Sequence, residues 1–174
     1  MSTKDFLAKQ LEETAQIIEW ALNLFPKERL TEIPPQETHP NAPEWFGKWS
    51  ALRLLFHLVY YEETIALPSL KHWIGEPKPS YPEISLEEKE WEKGMDLTGL
   101  LLRFQTVRKE QVRVIDEIDE AQWSEEKLRY YGHGMVSAAW FVAKTIQHTF
   151  SHGDRLLRKA LYWDDALEHA ASKE

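Results

Sequence analysis

The stretch VSAAWFVAKTIQHTFSHGDRLLRKALY, from Val136 to Tyr162, decides the fold class. Ala139, Ala143, Ile146, Phe150, Leu157 and Leu161 recur three, four or seven residues apart. That period places them on one face of a long helix. Working outward, the segment from about Asp96 to Asp119 repeats the pattern with Leu97, Leu101, Phe104, Gln111, Ile115 and Ile118. Upstream again, Leu52, Leu55, Phe56, Val59, Ala66 and Leu70 give a broad apolar face to a helix that Ser50 is placed to cap. Pro68 is expected to kink that helix or end it early. Leu7, Leu11, Ala15, Ile18, Leu22 and Phe25 form the first stripe, which Pro26 ends. No strand-like alternation of useful length and no internal repeat occurs. Four long amphipathic helices predict an all-α four-helix bundle.

The connections refine this plan. The first is long, reaching to about Lys48, and Pro34, Pro35, Pro40 and Pro43 make it extended. It carries Trp45 and Phe46, and Trp45 and Trp49 are placed to roof a cavity in the bundle. Gly75, Pro77, Pro79 and Pro82 mark a second loop. Ser85 with Glu88 has the form of a capping box and predicts a short helix from Leu86 to Lys93, interrupted at Gly94. Gly132 and Gly134 put His133 in a turn before the last helix. The residues after Asp164 are charged and small, which predicts a frayed tail over 165–174 on a single domain spanning 1–174.

Composition narrows the classes of function. The net charge of −8 gives no general attraction for phosphate backbones, so no nucleic-acid partner is expected. Arg155, Arg158 and Lys159 form the one dense basic cluster and read as a solvated helix face. The absence of cysteine excludes disulfides, zinc–thiolate sites and a cysteine nucleophile. The first residues lead into an amphipathic pattern rather than an apolar signal core, and no apolar run is long enough to span a bilayer. A cytoplasmic protein without a membrane partner is the expectation.

His148 and His152 are separated by one helical turn, so their imidazoles share a side of the helix. Their stripe also holds Phe141, Thr145 and Leu156 and borders the apolar face, which predicts partial burial at a helix seam. The pair alone reads as two ordinary helical histidines. His57 adds to it, because it lies in Leu54-Leu55-Phe56-His57-Leu58-Val59, the most apolar run of the second helix. A ring there needs partners for its nitrogens. Either it bonds a carbonyl or hydroxyl in the core, or it faces His148 and His152 across the bundle. Three neutral imidazoles would suit Zn²⁺, Ni²⁺ or Fe²⁺ and leave coordination positions open.

On these residues the chain resembles the DinB-like superfamily of metalloenzyme-type bundles. The likeness rests on Leu55-Phe56-His57-Leu58-Val59-Tyr60-Tyr61-Glu62-Glu63, on the pair His148 and His152 with the run to Leu157, and on the long first crossover; it spans most of Phe6 to Tyr162. The resemblance implies a four-helix bundle with a divalent metal ion held by His57, His148 and His152. It implies a metal-dependent enzyme, either a hydrolase or a transferase using a low-molecular-weight thiol such as bacillithiol or mycothiol. The chain departs from the pattern at His152-Gly153-Asp154-Arg155, where relatives often carry a second adjacent histidine and a glutamine.

Tyr61 and Thr64 lie on the stripe of His57, where either orients a bound water, touches substrate, or simply packs. His133 either reaches an open coordination position or stands exposed in its turn. His39, His72 and His169 receive no role. A small-molecule substrate is the expected partner, a homodimer is left open, and a non-catalytic metal-binding or stress-related module is the competing reading.

Overall fold

Each long helix begins where a short polar side chain can satisfy its free first-turn amides. In the computed structural model of the chain, which describes residues 1–32 and 47–172, α1 (Thr3–Asn23) starts with a capping box between Ser2 and Asp5. α2 (Ala51–Tyr61) is capped by the Ser50 hydroxyl, which accepts from the Arg53 amide at 3.2 Å. α2 continues through a π-helical turn (Glu62–Ala66) into α3 (Leu67–Lys71). The short α4 (Ile84–Trp91) precedes α5 (Leu97–Glu117), where Asp96 caps the Gly99 amide at 2.8 Å. One turn of helix, α6 (Glu120–Trp123), and a hairpin of β1 (Leu128–Tyr130) and β2 (Gly134–Val136) lead into α7 (Ala138–Ala171).

The bundle is as the periodicity predicts. α1 and α2 each pack against both α5 and α7, which puts α1 and α2 on one diagonal. Buried apolar side chains fill the interior in two adjoining clusters, one around Ile18, Leu55, Phe56, Phe104 and Leu156, the other around Leu11, Trp73, Val114, Ile115 and Phe141. Each such side chain contributes about 1.5–3 kcal/mol by leaving water. Among the described residues no helix is long and apolar enough to cross a membrane.

The kink expected from Pro68 takes the form of the π turn just before it. Proline has no amide hydrogen for the ladder, and the Leu67 amide reaches back to the Glu62 carbonyl instead. Tyr61 and Glu62, where that turn begins, are both buried, at 6% and 0% exposure.

Five expectations are corrected. In α7 the buried face is not the one richest in large apolar residues: Ala143 is exposed, and Phe150 and Leu161 stand 44% and 60% exposed. Phe141, Thr145, Thr149, His152 and Leu156 are buried instead. The threonines tolerate this because their hydroxyls bond the carbonyls of Phe141 and Thr145 one turn back. Lys159 belongs to that buried face and not to a solvated basic one. The turn around His133 is a β-hairpin pairing Leu128 with Val136, too short to show as alternation; Gly132 and Gly134 supply its positive φ angles. Ser85 and Glu88 make no capping box, because Glu88 is drawn to Arg53 at 2.7 Å, and α4 starts at Ile84. The supposed tail stays helical to Ala171 past a bend at Tyr162, anchored by buried Trp163. The first connection opens with a 3-10 turn (Lys27–Leu30) that buries Leu30, and its proline-rich part, 33–46, lies outside the described residues.

A buried polar cluster ties the four long helices together. Arg108 of α5 donates to Glu62 at 2.6 Å, to the Leu11 carbonyl of α1 at 2.9 Å and to the Thr149 hydroxyl of α7. Gln111 donates to the other Glu62 oxygen at 2.5 Å. Burial pushes the Glu62 carboxyl up and the Arg108 guanidinium down from their usual values, and each charge opposes the shift in the other. Removing one partner strands the other in the interior. Glu62→Ala is therefore expected to cost about 3–5 kcal/mol in urea unfolding, while Glu13→Ala, in an exposed pair with Lys9, changes little. Equal effects would show that the buried pair is not a structural tie.

Candidate metal centre

Two helices deliver three imidazoles to one point. α7 sets His148 and His152 one turn apart on its buried face, and the apolar run of α2 turns His57 toward them. His148 Nε2 lies 3.3 Å from His57 Nε2 and 3.1 Å from His152 Nε2. The three ligand-type nitrogens all fall within 4.8 Å of one another, an arrangement that can hold a metal ion. Nitrogens set tetrahedrally about an ion at ~2.0–2.1 Å would stand roughly 3.3–3.4 Å apart, so the donor set fits. A single His148 Nε2 cannot make two good hydrogen bonds to two other ring nitrogens, whereas a shared cation would satisfy all three. Among the described residues no other such cluster occurs, and no carboxylate joins this one.

The surroundings of His148 and His152 favour neutral rings with free lone pairs. Burial pushes the His148 imidazole down to about 2, and the neighbouring His152 and His57 add to the effect. Burial likewise pushes His152 down to about 3, helped by His57 and Arg155. Gly153 lets this part of α7 approach α1: a β-carbon there would stand 3.0 Å from the Ile17 side chain. That close approach is a local reason why a second histidine does not follow His152.

His57 Nδ1 lies 3.0 and 3.1 Å from the two carboxylate oxygens of Glu87 on α4. Arg53, one turn before His57, donates to the same carboxylate at 2.6 Å. The Trp49 ring rests 4.9 Å from the His57 ring, so this half of the expected roof is in place, while Trp45 lies outside the described residues. Beside it a cavity of about 270 Å³ is lined by Gly47, Lys48, Trp49, Leu54, Arg155 and Lys159, between α2 and α7.

Tyr61 is buried with its ring 4.2 Å from the His148 ring. Burial, reinforced by Tyr130, holds its phenol protonated far above the usual range. Thr64 spends its hydroxyl on the Tyr60 carbonyl at 2.6 Å and does not face the imidazoles. His133 is exposed in the hairpin turn, 4.8 Å from the Trp140 ring, and is not in the cluster. His72 bonds the Glu76 carbonyl at the end of its helix. His39 lies outside the described residues. Sequence reasoning missed Glu87, Arg53 and Arg108. A signal existed for the arginine at 53: it interrupts the apolar run Ala51 to Val59, where a cation must find a partner.

Comparison with known proteins agrees with this architecture. The solved structure of YfiT from Bacillus subtilis, described as "a probable metal-dependent hydrolase with an unusual four-helix bundle topology", matches with a TM-score of 0.68 at 16% sequence identity, covering 92% of this chain and 88% of that one. At that identity the likeness establishes the shared fold. No curated protein sequence matches the chain significantly. The family model of the DinB superfamily matches residues 10–154, from α1 through both histidines of α7, and the chain belongs to that superfamily.

Proposed function

We propose that the protein is a metal-dependent enzyme of hydrolase type that holds one divalent ion through His57, His148 and His152 and acts on a small molecule. The observation that carries this reading is the convergence of three Nε2 atoms, with no fourth ligand group beside them among the described residues. A Zn²⁺, Ni²⁺ or Fe²⁺ ion in that position supplies Lewis acidity, which acidifies a water or thiol and polarises a substrate bond. The description of YfiT as a probable metal-dependent hydrolase supports the choice of reaction class.

The chain's own residues set the conditions for that chemistry. Burial keeps His148 and His152 neutral at physiological pH, as ligands must be. The Trp49 ring packs 4.9 Å from the His57 ring, and the neighbouring cavity, lined by Trp49, Leu54, Arg155 and Lys159 and not by the imidazoles themselves, is the space we assign to a small substrate. Among the described residues two buried or half-buried carboxylates of this region are engaged, Glu62 by Arg108 and Gln111 and Glu87 by Arg53 and His57, so neither is a free general base. Tyr61 contributes a neutral phenol and packing against His148. The open position also admits a thiol-dependent transferase. Since the chain has no cysteine, the thiol would come from a cofactor or substrate.

Elemental analysis and zinc titration of the purified protein are expected to give one ion per chain. His148→Ala and His152→Ala should each greatly weaken binding with little change in the circular dichroism of the metal-free protein, because the apolar core does not depend on the ion. Unaltered zinc affinity in both variants would remove the reading. Reaction class is tested on the Co²⁺-substituted protein: hydrolysis of a panel of esters and amides, lost on chelation, supports the hydrolase. A thiolate-to-metal charge-transfer band on adding small thiols, with no hydrolysis, would shift the assignment to the transferase. Neither response, together with retained metal, would favour an ion that only staples the helices.

A further inference from the structure

The connection between the second and third long helices brings a carboxylate to the back of His57. We propose that Glu87, clamped by Arg53, is the positioning residue that fixes the His57 ring with its proton on Nδ1 and its Nε2 lone pair facing His148 and His152. This rests on the metal-site reading above and extends it to a residue that touches no metal.

The argument begins with the carboxylate. Both Glu87 oxygens lie within hydrogen-bond distance of His57 Nδ1, at 3.0 and 3.1 Å. Arg53 donates to one of these oxygens at 2.6 Å, an ion pair that keeps Glu87 an acceptor-only carboxylate. An ionised carboxylate only accepts hydrogen bonds, so Nδ1 must carry the hydrogen. The remaining nitrogen, Nε2, is the one 3.3 Å from His148 Nε2. Without Glu87 the ring could take the other tautomer or turn over, and either change would withdraw a lone pair from the cluster.

Arg53 makes the arrangement rigid. Its side chain is 5% exposed and forks between Glu87 at 2.6 Å and Glu88 at 2.7 Å. Its guanidinium lies 4.5 Å from the Trp49 ring centre, 5.2 Å from that of Phe56 and 5.5 Å from that of Trp91. Arg53 and His57 are one turn apart on α2, so both reach the same carboxylate from one helix face. Aromatic contacts on several sides leave the guanidinium few alternative positions. The amide-capping role that the sequence suggested for Glu88 is given up to this clamp. α4 thereby becomes part of the centre and not merely a spacer in a loop.

The test uses the full chain, Glu87→Ala and Glu87→Gln. Zinc affinity measured by competition with a chromophoric chelator should fall about 10–100-fold in Glu87→Ala. The loss should be smaller in Glu87→Gln, whose amide carbonyl still accepts from Nδ1–H. In metal-free wild type, long-range ¹H–¹⁵N correlation should show His57 with its hydrogen on Nδ1, and Glu87→Ala should show a mixture of tautomers. If Glu87→Ala disturbs folding, Glu87→Leu, similar in volume but without an acceptor, carries both measurements. Wild-type zinc affinity with an unchanged His57 tautomer in Glu87→Ala or Glu87→Leu would overturn the proposal. Failure of wild type to bind zinc would overturn the metal reading instead, and the metal-free tautomer measurement would still decide the role of Glu87.

Discussion

The guanidinium of Arg108 is the tie on which the bundle interior depends. From α5 it bonds the Leu11 carbonyl of α1, the Glu62 carboxylate at the end of α2 and the Thr149 hydroxyl of α7. A buried cation tolerates few geometries, since every loss of a partner leaves charge in a low-dielectric interior. Apolar packing holds helices together but permits sliding by small steps. A charge bonded to all three neighbours does not, so it fixes the relative registers of the helices. Thr149 follows His148 directly, and Glu62 is five residues beyond His57. The tie therefore lies close to the imidazoles and helps fix the helices that carry them.

The histidines make sense against that constraint. Neutral imidazoles at His148 and His152 are the low-energy state of a buried cluster, and burial rather than a neighbouring charge is the main cause. The same burial that suits metal ligands would burden a metal-free protein with crowded ring nitrogens. Among the described residues His148 Nδ1 and His152 Nδ1 are both buried without a hydrogen-bond partner, a cost the bundle carries beside a well-packed core. The π turn belongs to the same design. It accommodates Pro68 in a long helix that begins to widen at the buried Glu62.

Much of the fold was legible because helix period is a strong signal over long segments. The stripe Leu52 to Leu70 is buried throughout, and Ser50 and Asp96 stand at helix starts as their chemistry suggests. The apolar face of α7 was misread for a physical reason. Counting large apolar residues favours Phe150 and Leu161, but α7 buries His152 together with Thr145 and Thr149, whose hydroxyls are satisfied by carbonyls of the same helix. His57, His148 and His152 were legible as a set because a histidine inside Leu54 to Val59 demands partners and one turn separates the other two. Glu87 was not legible: nothing local distinguishes it from Glu88, and only the folding back of α4 brings it to His57. The three-residue strands of the hairpin were too short to leave a periodic trace.

The central proposal is that the imidazole nitrogens of His57, His148 and His152, with no other ligand group beside them among the described residues, bind one ion and leave a position open. X-ray absorption spectroscopy of the zinc-loaded protein tests it most directly. The account predicts a first shell of nitrogen or oxygen at about 2.0–2.1 Å with outer-shell scattering from three imidazoles and one further light-atom ligand that exchanges with added small anions. A first shell with fewer than two imidazoles, or one filled by carboxylate oxygens, would contradict it.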